Sequence, residues 1–153
     1  MSDERPKSTA EFNQKIIEEF RAGGGLVGGM FEGLPLVLVT STGARSGRPR
    51  TNPVAYARDG DRLLVFGSNG GSHRHPDWYW NVLADPRVTV EIGDGAGGVE
   101  TYAGVATVLE GDERARLYRE QGERVPAFAA YQAGTERVIP VVALERADPA
   151  PAG

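Results

Sequence analysis

Six short β-prone runs, most of them joined by turn-forming residues instead of helices, constrain the fold of this chain most strongly. The predicted strands are Leu36–Thr42, Arg50–Ala57, Leu63–Gly67, Val88–Ile92, Val99–Leu109 and Val138–Leu144. Asp59-Gly60 is a strong hairpin dipeptide, so the first three strands are predicted to form a meander. We therefore predict a mainly β (α+β) fold, a six-stranded antiparallel barrel with flanking helices, because closing a sheet removes its exposed edges.

A helix is predicted before the barrel. It begins at the capping-box pattern of Ser8–Glu11 and ends near Arg21. Its apolar residues recur at helical spacing and form one stripe: Phe12, Ile16, Ile17 and Phe20. We interpret this stripe as a docking face on the barrel, with peripheral membrane contact as the alternative.

Two further helices are predicted within the barrel domain. One is opened by Pro76 and closed by Asp85-Pro86, and the other is capped by Asp112 and ends near Arg124. The expected organisation is an N-terminal helix with a Gly-rich joint (residues 1–25), a single barrel domain (26–147) and a flexible tail (148–153).

The composition removes several classes of site. The chain has no cysteine, which excludes disulfides and cysteine-based chemistry. His73 and His75 lack an obvious third ligand, so no metal site is predicted. No apolar run approaches the roughly 20 residues of a membrane span, and the first residues do not resemble a signal peptide. We expect a cytoplasmic protein, with membrane association through the first helix as the alternative.

Basic charge is concentrated in one stretch of an otherwise acidic chain. The net charge is −4, yet residues 33–58 contain four arginines and no acid. This distribution favours one localised anionic ligand over a nucleic acid, which needs a broad basic face, so no nucleic-acid partner is predicted. A solvated basic loop is the alternative interpretation.

Two polar, Gly-rich segments are candidate binding sites. Residues 40–50 combine two glycines, four hydroxyls and three arginines between two strands, a composition that suits phosphate or carboxylate oxygens. An ordinary polar hairpin is the alternative. Residues 67–81 place backbone amides ahead of a helix N-terminus, where the dipole favours negative charge or polarised carbonyls. Trp78, Tyr79 and Trp80 are consecutive, so they cannot all face the core of the protein.

Together these segments resemble the deazaflavin-dependent nitroreductase and quinone reductase family, a branch of the FMN-binding split-barrel proteins. The resemblance covers residues 36–144 and depends on several separated motifs in the same order. They are Thr-Gly-x-x-Ser-Gly-x-Pro-Arg (42–50), Asn52-Pro53, Gly70-Gly71, Pro76-x-Trp-Tyr-x-Asn81, and Tyr131 through Arg137 to Ile139-Pro140. The resemblance implies a split barrel that binds coenzyme F420 and passes a hydride to a quinone, enone or nitroaromatic acceptor.

The same resemblance implies the cofactor residues. Arg45 and Arg50, assisted by Arg48, match positions that hold the phosphate and carboxylates of the F420 tail. Residues 68–72 and the helix start at Pro76 match the stretch that hydrogen-bonds the ring system. The full implied set is Thr42, Arg45, Ser46, Arg48, Arg50, Ser68, Asn69, Gly70, Gly71, Pro76, Trp78 and Tyr79.

The acceptor side is predicted from aromatic residues. Tyr131 is the candidate catalytic residue, because it lies in the region that resembles the family's substrate loop and a phenol can donate to an oxygen that gains charge. Tyr56 and Phe128 are expected to form apolar walls of the substrate site. The oligomeric state is left open between monomer and homodimer.

Two other functions stay open. One is a non-catalytic protein that binds deazaflavin or haem, and the other is an FMN-dependent split-barrel oxidase. FMN is the less favoured cofactor, because its single short phosphate leaves part of the basic hairpin unused.

Overall fold

The computed structural model describes residues 9–28 and 35–147, and its centre is a closed antiparallel barrel with the strand order β1-β2-β3-β6-β5-β4. The strands are β1 (Leu36–Thr42), β2 (Pro49–Asp59), β3 (Arg62–Phe66), β4 (Arg87–Gly93), β5 (Val99–Val108) and β6 (Val141–Arg146). The predicted six-stranded barrel and its initial meander are therefore confirmed. Asp59 pairs with Arg62, so the centre of the β2–β3 turn is Gly60-Asp61, one residue later than predicted.

Four helices accompany the barrel in the part of the chain that the structure describes. They are α1 (Thr9–Ala22), α2 (Asp77–Ala84), α3 (Gly111–Arg124) and α4 (Pro126–Ala133). None of them is long and apolar enough to cross a bilayer. The prediction missed α4, and Asp112 is not the cap of α3, because the helix begins at Gly111 and Glu110 occupies the cap position. The predicted cap Ser8 and the tail 148–153 lie outside the described residues.

The antiparallel order places alternate connections at opposite ends of the barrel. The connections that follow β1, β3 and β5 lie at one end, and the two short turns after β2 and β4 lie at the other. At the first end, α2 closes the barrel by inserting Trp78 and Val82 among interior residues such as Val39 and Val90. This arrangement starts the connections 43–48, 67–86 and 109–140 at the same end of the barrel, although α3, within the last of them, reaches back to Arg62 at the start of β3.

Helix α1 packs against the outside of the barrel. Ile16, Ile17 and Phe20 are buried and contact Leu36 and Leu38. Since burial of each large apolar side chain contributes about 1.5–3 kcal/mol, this stripe stabilises the docked helix. The prediction of a docking face is confirmed. The membrane alternative required the same apolar stripe to be exposed, whereas Ile16, Ile17 and Phe20 are buried against the barrel.

Helices α3 and α4 cover the outer face of β3 and β6. Phe66, Tyr118 and Phe128 form edge-on ring contacts there, together with the fully buried Ile139. Strand β6 begins at Val141 and not at Val138 as predicted. The reason lies in the backbone of Ile139, whose amide donates to the Gln132 side chain and whose carbonyl accepts from Arg114, so it pairs with side chains instead of a strand.

Candidate functional site

The polar residues singled out in the sequence converge at the end of the barrel that α2 closes. We call this region the barrel mouth and define it as residues 42–50, 67–81 and 131–140. Every predicted cofactor residue lies in the first two segments, and Tyr131 lies in the third. Segments that are distant in sequence therefore meet because three connections share one end of the barrel.

The basic hairpin of the mouth is held by internal bonds and by α2. The Gly43 amide donates to the Arg48 carbonyl at 2.8 Å, and the Gly47 amide donates back to the Gly43 carbonyl at 2.9 Å. The Ala44 amide donates to Oδ1 of the buried Asn81 at 2.9 Å. Helix α2 thus fixes the position of the hairpin. Asn81 belongs to the motif Pro76-x-Trp-Tyr-x-Asn81, but no role was predicted for it.

The three arginines of this hairpin are exposed and form no ion pair within the described ranges. Elsewhere in the structure, five arginines do pair with carboxylates: Arg21, Arg62, Arg87, Arg116 and Arg146. Arg50 lies on β2 opposite Ser41, whereas Arg45 and Arg48 lie in the turn. Ser41 is 2% exposed, and its hydroxyl has no hydrogen-bond partner among the described residues. Exposed arginines without a carboxylate partner in the described residues therefore lie next to a buried hydroxyl that has no hydrogen-bond partner there.

The loop after β3 presents backbone amides. Ser68 is in the right-handed helical region (φ −72°, ψ −29°) and Asn69 has a positive φ of 48°. Successive residues of opposite hand direct their N–H groups into one concavity, which suits an anionic or polarised oxygen. The amides of Ser68 and Asn69 have no acceptor in the part of the chain that the structure describes. The structure thus forms a donor pair at two predicted contact residues.

His75 lies beside this loop as a neutral imidazole. Arg137 Nη1 is 2.9 Å from His75 Nδ1, and because a guanidinium only donates, Nδ1 must accept and the proton must reside on Nε2. Burial and the nearby Arg137 charge both lower the pKa of His75. The imidazole also lies 4.6 Å from the Tyr79 ring and 5.3 Å from the Trp80 ring, measured between centroids.

Tyr131 contacts the same loop from α4. A Cβ built on Gly71, whose φ is 86°, would lie 2.9 Å from Cδ1 of Tyr131, so glycine lets the backbone approach the ring. The Tyr131 hydroxyl makes no hydrogen bond within residues 9–28 and 35–147. Its ring packs on Phe128 with 5.5 Å between centroids. The predicted catalytic residue and the predicted ring-binding loop are therefore in contact.

The aromatic residues of the predicted site have different surroundings. Trp78 and Phe128 are each 5% exposed and belong to the hydrophobic core. Tyr79 is partly buried, and Trp80 is 51% exposed. The expected division of the three consecutive aromatics between core and surface is what the structure has. Of this group, the partly exposed rings are the ones available to a ligand.

Tyr56 is not brought together with Tyr131. It lies on β2 and lines a separate groove of about 420 Å³ with Pro35, Arg58, Gln121 and Arg124. None of the predicted cofactor residues lines this groove. The predicted acceptor residues are thus divided among the mouth, the core and this groove.

Comparison with known proteins places the chain in a family. Residues 13–146 match the family described as F420H(2)-dependent quinone reductase. The chain belongs to this family. An F420H(2)-dependent quinone reductase of Mycobacterium tuberculosis is 36% identical over 129 residues, which cover 83% of this chain and 85% of that protein.

Two solved structures extend the comparison to the fold. One is an F420-H2-dependent reductase (FDR-A), with a TM-score of 0.64, 38% identity and coverage of 72% of this chain and 94% of that chain. The other is described as a domain-swapped dimer, with a TM-score of 0.65, 35% identity and coverage of 89% of this chain and 96% of that chain. The predicted family, oxidoreductase class and F420 cofactor are confirmed.

The barrel mouth fits the F420 of this family in its donor chemistry. The anionic tail of F420 requires cations, and the hairpin offers three that have no carboxylate partner in the described part of the chain. The carbonyl oxygens of its ring require donors, and the amides of Ser68 and Asn69, which have no acceptor in the described part of the chain, would supply them. Arg137 and His75, which were not among the predicted cofactor residues, complete the surroundings of that loop.

Proposed function

We propose that this chain transfers a hydride from reduced F420 to a quinone, with the barrel mouth as the binding site. Membership of the F420H(2)-dependent quinone reductase family supports the reaction and the cofactor. The observation that carries the assignment to the mouth is a hairpin with three exposed arginines beside a loop with two amides, none of which has an intramolecular partner for its charge or N–H among residues 9–28 and 35–147. In an acidic protein, such a group of uncompensated cations is a favourable place for an anion.

The hairpin holds the acidic tail in this proposal. Arg50, Arg45 and Arg48 offer guanidinium forks that match phosphate and carboxylate oxygens. Thr42 and Ser46 add hydroxyls at the two sides of the turn, although the Ser46 hydroxyl already accepts from the Arg48 amide. Asn81 keeps the turn in place, so the arginines do not have to be ordered entirely by the ligand.

The loop and the start of α2 orient the ring. The amides of Ser68 and Asn69 donate to its carbonyl oxygens, while Gly70 and Gly71 let the backbone approach closely. Tyr79 and the adjoining His75 supply a partly exposed aromatic surface next to Pro76, where α2 begins. When bound, reduced F420 supplies the hydride for the reaction.

Tyr131 donates to the acceptor. A quinone that takes up a hydride at one oxygen or ring carbon places negative charge on a carbonyl oxygen, which then needs a proton. The phenol of Tyr131 makes no other hydrogen bond within the described residues, so it is available as that donor. Its proton is restored from solvent, and the product is a hydroquinone. Nitroaromatic compounds are proposed as secondary acceptors by the same chemistry.

Paired titrations test the proposal. Purified protein is titrated with F420 and with FMN by fluorescence, and oxidation of reduced F420 by menadione is then followed optically. We expect binding of F420 at least a hundredfold tighter than of FMN, and menadione-dependent oxidation that requires the protein. Micromolar FMN affinity without F420 binding contradicts the proposal, and F420 binding without turnover leaves the non-catalytic alternative.

A further inference from the structure

Arg137 joins the loop after β3 to the segment between α4 and β6. Its guanidinium donates to the carbonyl oxygens of Gly67, Ser68 and Ser72 at 3.0, 2.8 and 2.9 Å. A fourth bond of 2.9 Å reaches Nδ1 of His75. These four partners lie 62 to 70 residues away in the sequence. A single side chain therefore ties three carbonyls of the loop together, in addition to the bonds within the loop, such as that from the Gly71 amide to the Ser68 carbonyl at 2.9 Å.

The carbonyls that Arg137 binds determine which backbone groups stay free. Because the carbonyls of Gly67 and Ser68 point at the guanidinium, the amides of Ser68 and Asn69 point away from it, where they meet no acceptor among the described residues. Asn69 has a positive φ, which costs energy for a residue with a side chain and requires support from its surroundings. The guanidinium bonds on both sides of Asn69 contribute to that support, together with the bond from the Asn69 side-chain amide to the Arg74 carbonyl at 3.0 Å.

The charge of Arg137 is not neutralised by a carboxylate. Backbone oxygens and one imidazole nitrogen satisfy its donors, and it forms no ion pair in the part of the chain that the structure describes. Burial lowers the pKa of this guanidinium. An uncompensated, partly buried cation costs free energy in the unliganded protein, which an anionic ligand in the mouth would offset.

We propose that Arg137 is a positioning residue for F420, which fixes the Ser68 and Asn69 amides as donors and holds His75 as its Nε2–H tautomer. This role depends on the function proposed above. It assigns to Arg137 no contact with the reacting atoms. The predicted effect of its loss is on the affinity for F420 first, and on turnover only through the position of the ring.

The Arg137→Lys variant tests this role, since an ammonium keeps the charge but cannot match the planar fork of a guanidinium. We expect its Kd for F420 to rise at least tenfold, and the ¹⁵N NMR spectrum of His75 to change from the Nε2–H tautomer to a mixture. The control is Arg62→Lys, which disturbs another partly buried arginine with several bonds, away from the mouth. This control should lose some thermal stability and keep its F420 affinity and the His75 spectrum.

Two measurements remain informative if Arg137→Lys does not fold. The first is the tautomer of His75 in the wild-type protein, where a proton on Nδ1 overturns the proposal. The second compares Asn69→Val, which disfavours the positive φ, with Asn69→Gly, which permits it. We expect the valine variant to bind F420 at least fivefold more weakly than the glycine variant, and equal affinities overturn the proposal.

The experiments distinguish a failure of the role proposed for Arg137 from a failure of the proposed function. If the wild-type protein does not bind F420, the proposed function is overturned and this role with it. If the wild-type protein binds F420 and Arg137→Lys binds equally well with an unchanged His75 spectrum, only the role of Arg137 is overturned.

Discussion

At the scale of single residues, Arg50 and Arg45 differ in how firmly the backbone holds them. Arg50 is a strand residue paired with Ser41, while Arg45 lies in the exposed turn. We expect Arg50→Ala to weaken F420 binding at least thirtyfold, because truncating one member of a desolvated, hydrogen-bonded charge pair costs about 2–5 kcal/mol. Arg45→Ala should weaken F420 binding by a smaller factor than Arg50→Ala. Isothermal titration measures both, with Arg116→Ala as the control, since Arg116 pairs with Glu120 on α3. Unchanged binding at low salt by both hairpin variants would make the hairpin a solvated basic turn.

Tyr131 and Tyr118 allow a matched test of a phenol in catalysis. Tyr131→Phe removes a hydroxyl without a partner in the described residues, so we expect quinone turnover to fall at least tenfold, about 1.4 kcal/mol of barrier. F420 affinity and melting temperature should stay near wild type. Tyr118→Phe removes a buried hydroxyl that donates to the Phe128 carbonyl at 2.6 Å, so it should lower stability and spare turnover. Steady-state kinetics measures the turnover of both variants, and thermal melts measure their stability. Normal turnover in Tyr131→Phe would show that the Tyr131 ring serves packing and not catalysis.

His75 predicts a pH dependence of stability. Its pKa in the folded protein lies below the unfolded value of 6.5, because burial and Arg137 disfavour the imidazolium. Between those two values the unfolded chain binds more protons, so the free energy of unfolding falls as the pH drops below about 6.5. Urea unfolding of wild type and His75→Phe at several pH values measures this pH dependence of the free energy of unfolding. The wild-type protein should lose more stability at low pH than the variant. Equal changes of the free energy of unfolding with pH in the two proteins would contradict the prediction.

At the scale of elements, α2 acts as a support for the basic hairpin. Asn81→Ala removes the acceptor of the Ala44 amide, so we expect a loss of stability of about 1 kcal/mol and a weaker F420 affinity. Amide hydrogen exchange at Ala44 should accelerate in the variant. Gln121→Ala is the control, because it removes an amide of similar burial from α3, outside the mouth, and should leave F420 binding unchanged. Equal affinity for F420 in both variants would show that the hairpin is ordered without α2.

The elements that sequence could predict are those specified by neighbours in the chain. The β1–β3 meander followed from turn residues such as Gly60, and α1 followed from its apolar stripe. Helix α4 was not predicted because it has only eight residues, is separated from α3 by the single residue Val125 and buries Phe128 as its one core side chain. Likewise, the bonds of Arg137 and the order β3-β6-β5 depend on contacts between distant segments, which no local pattern encodes.

At the scale of the whole molecule, barrel closure preorganises the mouth. Each of the six strands is paired on both sides, so the connections that form the mouth start and end on anchored backbone. The predicted site residues Thr42, Arg50 and Ser68 lie within two residues of a strand end. Binding residues that are carried by rigid elements lose little freedom when the ligand arrives.

The position of β6 between β3 and β5 also determines when the barrel can close during synthesis. The five earlier strands leave the ribosome first, yet β3 and β5 expose unpaired edges until Val141–Arg146 has emerged. A chain that ends at residue 140 should therefore aggregate and lose cooperative unfolding, in contrast to the 153-residue chain, as static light scattering and calorimetry would show. Cooperative unfolding of the shorter chain would contradict this. For this reductase, the nascent chain is expected to need protection by chaperones until its last strand is complete.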